Sequence, residues 1–236
     1  MSDSLPPNVH VSTHPCLRAK LSQLRSQSTS SRDTNALVHE ISTILGCEAL
    51  AQSLKTTISG TDRTSLGHEF SVETISPEKI ALVPILRSGL AMLPSLQSLL
   101  PTAYPIYHLG LFREPTTLEP VEYYNNLPFR PSTSPDAPPT SNAAASSLAI
   151  VLDPIIATGG TAAAAIQTLR EWGVQKVIMI SVLGAHDGLV RAAEQWAEEG
   201  RVEIWVGAVD GRVNERGMIV PGMGDVGDRL FLAIGK

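Results

Sequence analysis

Aromatic residues, cysteines and long apolar runs are all scarce in this sequence, and each shortage excludes a class of protein. Aromatics make up 5% of the 236 residues, so a core has to be built from Leu, Ile, Val and Ala. Two cysteines, Cys16 and Cys47, are too few for a disulfide framework, and no CxxC pair or His/Cys cluster has zinc-site spacing. The longest apolar runs, such as Ile80 to Leu86 and Val177 to Val182, are strand-sized and fall well short of the roughly 20 residues a membrane helix needs. No membrane partner is expected. The opening MSDSLPPNVH has no basic stretch leading into an apolar one, so no secretory signal is expected and a reducing, cytoplasmic setting is the simplest reading. Positive charge is also short, with 18 Lys and Arg against 23 Asp and Glu for a net charge of −5. Holding nucleic acid by bulk charge needs a basic face whose counterions are released on binding, so no nucleic-acid partner is expected. A small anion needs only a local cluster and stays open.

What is present is a globular share of apolar residues, 43%, arranged in two rhythms. From Ile80 onward, short β-branched runs (IALVPIL, PIYHLGLF, SLAIVLD, KVIMISVL, VEIWVGAV) alternate with Ala- and Leu-rich stretches (GLAMLPSLQSLL, TAAAAIQTLREW, GLVRAAEQWAEE). Continuous apolar strands separated by helical stretches predict an α/β fold whose parallel sheet is buried on both faces. Upstream, Leu37, Val38, Ile41, Ile44 and Leu45 have helical spacing, which predicts a helix from about Asp33 to Leu54 with Asp33 as its N-cap. Gly173 reads as a helix C-cap. Residues 1–15, rich in Pro, Ser and His, read as a flexible N-terminal arm ahead of one domain over 16–236. Residues 128–147, PFRPSTSPDAPPTSNAAASS, hold five prolines and no periodicity and read as a low-complexity loop.

The strongest chemical signal is LAIVLDPIIATGGTAAAAI, an apolar strand ending in Asp153 that turns through glycines into an Ala-rich helix. A parallel sheet places such a turn at the carboxyl edge of its strands, where α/β proteins hold ligands. Gly159 and Gly160 admit close backbone approach, Thr158 and Thr161 offer hydroxyls, and helix N-terminal amides favour an anion. The turn is therefore a candidate phosphate cradle, the alternative being a plain strand-to-helix turn. It lacks the Lys of a nucleotide-triphosphate P-loop. Arg87 directly follows the run Ile80 to Leu86, and Arg113 ends the run Ile106 to Phe112. Both are expected at strand ends, facing either an anionic ligand or a nearby carboxylate. Gly222, Gly224 and Gly227 spell G-x-G-x-x-G, but only nine residues follow, too few for the βαβ unit and distant acid of a dinucleotide fingerprint. Asp187, in LGAHDGL, reads as a helix N-cap beside His186, and no nucleophile elbow or HExxH pattern occurs.

DPIIATGGT resembles the phosphoribosyl pyrophosphate (PRPP) loop of type I phosphoribosyltransferases, and its single acid before Pro is similar to the uracil phosphoribosyltransferase branch. HPCLRAKLSQLR (14–25), VPILRSGLAML (83–93), LFREPTTLEPVEYY (111–124) and IVPGMGDVGDRLF (219–231) resemble further segments of that branch, in its order. The resemblance implies a type I phosphoribosyltransferase-like core, a parallel sheet flanked by helices, with an N-terminal helical segment and a C-terminal base-recognition hood. It implies an enzyme, a pentosyltransferase of pyrimidine salvage that joins uracil to PRPP to give UMP and diphosphate. Arg87, Arg113 and Asp225 would be catalytic. PRPP would be held by Arg87, Arg113, Asp153, Pro154, Ile155, Ile156, Ala157, Thr158, Gly159, Gly160, Thr161 and Asp225, and uracil by Ile219, Gly224, Asp225 and Val226. Mg²⁺ would accompany PRPP, with Asp225 on that side and no metal ligand assigned. Residues 113–130 would form a mobile loop closing over the site. The family's homo-oligomers imply a homodimer or homotetramer, and GTP is an allosteric activator in some members. The chain departs from the family's usual residues at Met218, Val226, Glu114 and Pro115. Two alternatives follow: a PRPP- or nucleotide-binding regulator that has lost transfer activity, or transfer to a different base.

Overall fold

The computed structural model describes residues 4–232 apart from 115, 116, 118, 129–145, 197 and 199, and describes only the backbone of Arg113. The chain opens with strand β1 (Val9–Val11), helices α1 (Pro15–Arg25) and α2 (Ser31–Ser53), and a hairpin of β2 (Lys55–Arg63) and β3 (Glu69–Ser76). Next come β4 (Ile80–Leu86), a 3-10 turn (Ser88–Ala91), α3 (Leu93–Leu99), β5 (Leu109–Arg113) and β6 (Pro120–Asn125). Strand β7 (Leu148–Leu152) leads through β8 (Ile155–Ile156) into α4 (Gly160–Trp172). Strands β9 (Lys176–Ser181) and β10 (Leu183–Ala185), helix α5 (His186–Glu194) and strand β11 (Val202–Val206) follow. The C-terminal hood is β12 (Val209–Asp210), β13 (Arg212–Val213), β14 (Ile219–Val220) and α6 (Val226–Phe231).

Seven strands form the main sheet in the order β1-β11-β9-β7-β4-β5-β6, parallel except for β6, which runs antiparallel to β5. Side chains of the central strands alternate between two apolar layers, as the two-residue period of a strand requires. Ile80, Leu82, Leu148, Ile150 and Leu152 meet α1, α2 and α3 on one face. Ala81, Val83, Ala149 and Val151 meet α4 and α5 on the other. The hood completes the first layer by inserting Ile219, Met223, Val226 and Leu230.

Several expectations need correction. The arm over 1–15 is structured where it is described: β1 pairs in parallel with β11, and His10 stacks on Trp205 at 4.4 Å. Helix α2 starts earlier than expected, because Ser30 is the N-cap, accepting from the Asp33 N–H (3.1 Å) while its hydroxyl donates to the Asp33 carboxylate (2.7 Å). Either residue suits a cap, and three positions separate them. Asp187 is not an N-cap either, since β10 runs straight into α5 and leaves Ala185 in that position. Gly173 does close α4, in the left-handed conformation at φ 93°. The segment expected as a closing loop contains strand β6, and only Leu109–Phe112 of PIYHLGLF is strand, with a single bridge at Ile106. Of the Pro-rich stretch, 129–145 lies outside the described residues, as does Pro115. The ends of that stretch are held: Trp172 Nε1 donates to the Pro128 carbonyl (3.0 Å), and the Ser147 carbonyl accepts from Gln175 and Lys176.

Candidate active site

Strands β4 and β7 lie side by side in the sheet, and chain order reverses between them, which opens a crevice at their carboxyl ends. Asp153 stands at the end of β7, 7% exposed, and the Ser88 hydroxyl from the turn after β4 donates to its Oδ1 at 3.5 Å. Burial pushes the Asp153 carboxyl from 3.8 up to about 7, against the hydrogen bonds from the Ile155 N–H and Ser88 that favour its ionised form. Beyond it, the Pro154 carbonyl accepts from Val182 and Leu183 (both 3.0 Å), which fixes the backbone before the glycines. Gly159 begins α4 at φ 77°, a conformation that disfavours any side chain, and a Cβ there would press on the Gly188 carbonyl. Helix α5 is therefore seated directly on this loop.

Gly159 supplies no side-chain cap to α4. The first-turn amides of a helix have no intrahelical partner, so this end offers its N–H groups and positive dipole end to the crevice. A cavity of about 160 Å³ lies in front of it, lined by Leu86, Ser88, Asp153, Ile155 to Gly159 and Thr161, with Leu111 and Phe112 opposite. Most of the expected PRPP loop is thus gathered around one space. Pro154 and Gly160 belong to the same turn but do not line it.

The expected arginines are placed differently. Arg87 is exposed, follows a cis peptide at Leu86–Arg87, and its guanidinium lies over the Phe231 ring of α6 at 5.7 Å, away from the cavity lining. Arg113 ends β5 on the same side of the sheet, and its side chain lies outside the described part of the structure. A residue that sequence reasoning missed is Arg191 of α5. Its Nη1 lies 3.5 Å from where a Cβ on Gly160 would sit, and the Thr158 hydroxyl is 3.8 Å from the same point. Only the fold, which sets α5 on the glycine loop, brings that charge to the cradle.

The expected base-binding residues form one loop next to the Arg87 turn, against which α6 packs. The side chains of Ile219 and Val226 are buried in the core (8% exposed each), so the backbone is what this loop presents. Asp225 is exposed and caps α6, its Oδ1 accepting from the Asp228 N–H at 3.1 Å. Met218 is half-buried in the turn before β14, its N–H donating to Asn214 Oδ1 (3.0 Å). His186 and Asp187 pair with each other at 3.0 Å and do not line the cavity. Among the described residues, no three His, Cys, Asp or Glu side chains gather as a metal cage. Asp153 is the carboxylate among the cavity-lining residues, and that donor would fit a Mg²⁺ bound through one carboxylate with its other ligands from substrate phosphates and water.

Comparison with known proteins agrees with this geometry. The family model for uracil phosphoribosyltransferase matches residues 11–233. A uracil phosphoribosyltransferase of Roseiflexus castenholzii is 40% identical over 225 residues, 94% of this chain and 97% of its own. A putative uracil phosphoribosyltransferase of Schizosaccharomyces pombe is 36% identical over 224 residues, 95% of this chain and 90% of its own. A solved protein of Aquifex aeolicus superposes with a TM-score of 0.80 at 32% identity, covering 95% of this chain and 98% of the other. The adenine phosphoribosyl transferase of Trypanosoma brucei, at 17% identity and a TM-score of 0.52 over 94% of this chain and 91% of its own, shares the fold. With an uncapped helix start facing a cavity at the sheet edge, a glycine-rich hood beside it and a family match over nearly its whole length, the chain belongs to the uracil phosphoribosyltransferase family.

Proposed function

We propose that this protein transfers the phosphoribosyl group of PRPP to uracil, giving UMP and diphosphate, as a salvage enzyme of the cytoplasm. The observation that carries the reading is the uncapped start of α4, its amides and the Thr158 and Thr161 hydroxyls facing the cavity that Asp153 borders. That end of the helix receives the 5′-phosphate. The Asp153 carboxylate accepts from the ribose hydroxyls and orients the sugar. Arg87, Arg113 and Asp225 attend the diphosphate end. A planar guanidinium suits phosphate oxygens, and Arg87 reaches them by leaving the Phe231 ring, a contact worth roughly 0.5–1 kcal/mol at an exposed site. Ile219 and the backbone of Gly224 to Val226 match the alternating donors and acceptors of the uracil edge. Analogues that leave those groups unpaired are penalised.

The reaction is a displacement at the anomeric carbon through an oxocarbenium-like transition state. The uracil nitrogen forms the new bond, the bond to the diphosphate oxygen breaks, and the protein supplies position and electrostatics. Bound with the diphosphate, Mg²⁺ supplies neutralisation of the leaving group's charge. The resemblance implies that the segment 113–130, of which 115, 116, 118, 129 and 130 lie outside the described residues, would close over the site and exclude water, protecting PRPP from hydrolysis. A homodimer or homotetramer, and activation by GTP, belong to the same reading and rest on the resemblance to the family.

Purified protein with PRPP, Mg²⁺ and labelled uracil is expected to form UMP, with other bases and added GTP as parallel arms. PRPP binding without UMP formation would point to a regulator, and product from another base would reassign the substrate.

A further inference from the structure

The loop offered to the base is held from behind by three charged side chains distant from it in sequence. Arg25, the last residue of α1, forms a two-pronged pair with Asp210 at the end of β12, Nη1 to Oδ2 and Nη2 to Oδ1, both at 2.7 Å. The same Nη1 donates to the Gly222 carbonyl at 2.7 Å, and Asp210 Oδ2 accepts from the Gly222 N–H at 2.9 Å. Both polar groups of the Gly222 backbone are thereby held by one ion pair. From the other side, Arg229 of α6 donates to the Met223 carbonyl (2.7 Å) and also to the carbonyls of Leu24 (2.5 Å) and Ser26 (3.0 Å) around the end of α1. Gly222 sits at φ 61°, where a Cβ would press on the Ile219 carbonyl.

These contacts converge on residues 222 and 223, immediately before Gly224 to Val226. The Asp210 side chain is 8% exposed and that of Arg25 25%, so the pair is sheltered enough for its geometry to hold. Burial alone would raise the Asp210 carboxyl, and the Arg25 hydrogen bonds and charge together with the Gly222 N–H bring it below its ordinary value.

We infer that Arg25, Asp210 and Arg229 are positioning residues that aim the backbone of Gly224 to Val226 at the base, so that uracil affinity and selectivity depend on them while PRPP affinity does not. The inference rests on the functional reading above. Arg25, Asp210 and Arg229 do not line the cavity at the cradle; they join α1, β12 and α6, and β12 meets the cradle's β8 only through the intervening β10. Removing one prong lets the loop shift, and displacements near 1 Å are worth up to about 100-fold in oriented reactions.

The test is a steady-state comparison of Asp210→Asn, Arg25→Lys and Arg229→Lys with the parental protein, varying uracil and PRPP separately, with thermal melting as a check of folding. Asp210→Asn keeps an acceptor for Gly222 and loses the charge, and Arg25→Lys keeps the charge and loses the fork. The expected result is a KM for uracil raised about tenfold or more, a KM for PRPP within about twofold, and weaker discrimination against cytosine and thymine. In Arg25→Ala, added guanidinium ion is expected to restore part of the lost uracil affinity; if that variant does not fold, Arg25→Gln takes its place. Unchanged uracil KM in folded Asp210→Asn and Arg25→Lys overturns the inference, as does a parallel loss for both substrates. If the parental protein makes no UMP, the functional reading falls and this inference with it. If it makes UMP and the variants match it, this inference alone falls.

Discussion

The proposed phosphate cradle and the proposed base-recognition hood both adjoin the turn after β4, yet they are built in opposite ways. The cradle is almost continuous in sequence, from Asp153 to Thr161, and hydrogen bonds from β9 and β10 close at hand keep its backbone in place. The hood hangs on contacts of long reach: Arg25 and Asp210 are 185 residues apart, and Arg229 reaches back 205 residues to Leu24. A local site carries its own geometry, whereas a distributed one depends on the packing of α1, β12 and α6. Substitutions should therefore separate the two substrates.

The largest expected effect is Arg87→Ala. Loss of one donor to developing charge is worth about 2–4 kcal/mol, or roughly 30- to 1,000-fold in kcat/KM for PRPP, with uracil KM nearly unchanged in initial-rate assays. Second is the pH response of Asp153. Its carboxyl titrates near 7, so kcat/KM for PRPP should fall as pH drops through 7, and Asp153→Asn should remove that limb of the profile. The same raised value has a stability consequence. The buried neutral acid contributes stability that is fully present below about 4 and lost as pH rises to 7, on the order of 4 kcal/mol, and Asp153→Asn should flatten a series of melts between those limits. Third, Val226→Ala removes buried hood volume at about 1–2 kcal/mol of stability and should raise the KM for uracil severalfold with little change for PRPP. The smallest is Arg191→Ala. An exposed cation beside the cradle is worth under about 1 kcal/mol, so PRPP KM should rise less than about fivefold, and added salt should erase the difference.

The same contrast explains what was readable from the residues alone. The cradle's strand, turn and helix follow one another, so pattern and spacing suffice to place Asp153 and Gly159 together. Arg87 was legible as a strand-end residue because an apolar run stops just before it, but its position over Phe231 depends on where α6 packs. The hairpin β2–β3 left little trace because β2 is exposed along its whole length, so no buried face imposes a two-residue alternation. Strand β1 is three residues long, and its partner β11 begins almost 200 residues later, so nothing adjacent marks it as strand. The Arg25–Asp210 pair is invisible for the same reason. Arg113 and residues 113–130 keep the roles the resemblance implies as proposals.

One further feature bears on how the protein can be handled. Pro128 and Ser147 are fastened beside the end of α4 and the start of β9, at the edge of the sheet opposite the crevice. These two described ends are therefore held at the amino-terminal edge of the strands, the edge opposite Asp153. With both anchors on that edge, a fluorophore or affinity handle spliced between them is expected to leave UMP formation unchanged, which an activity assay of the fusion checks.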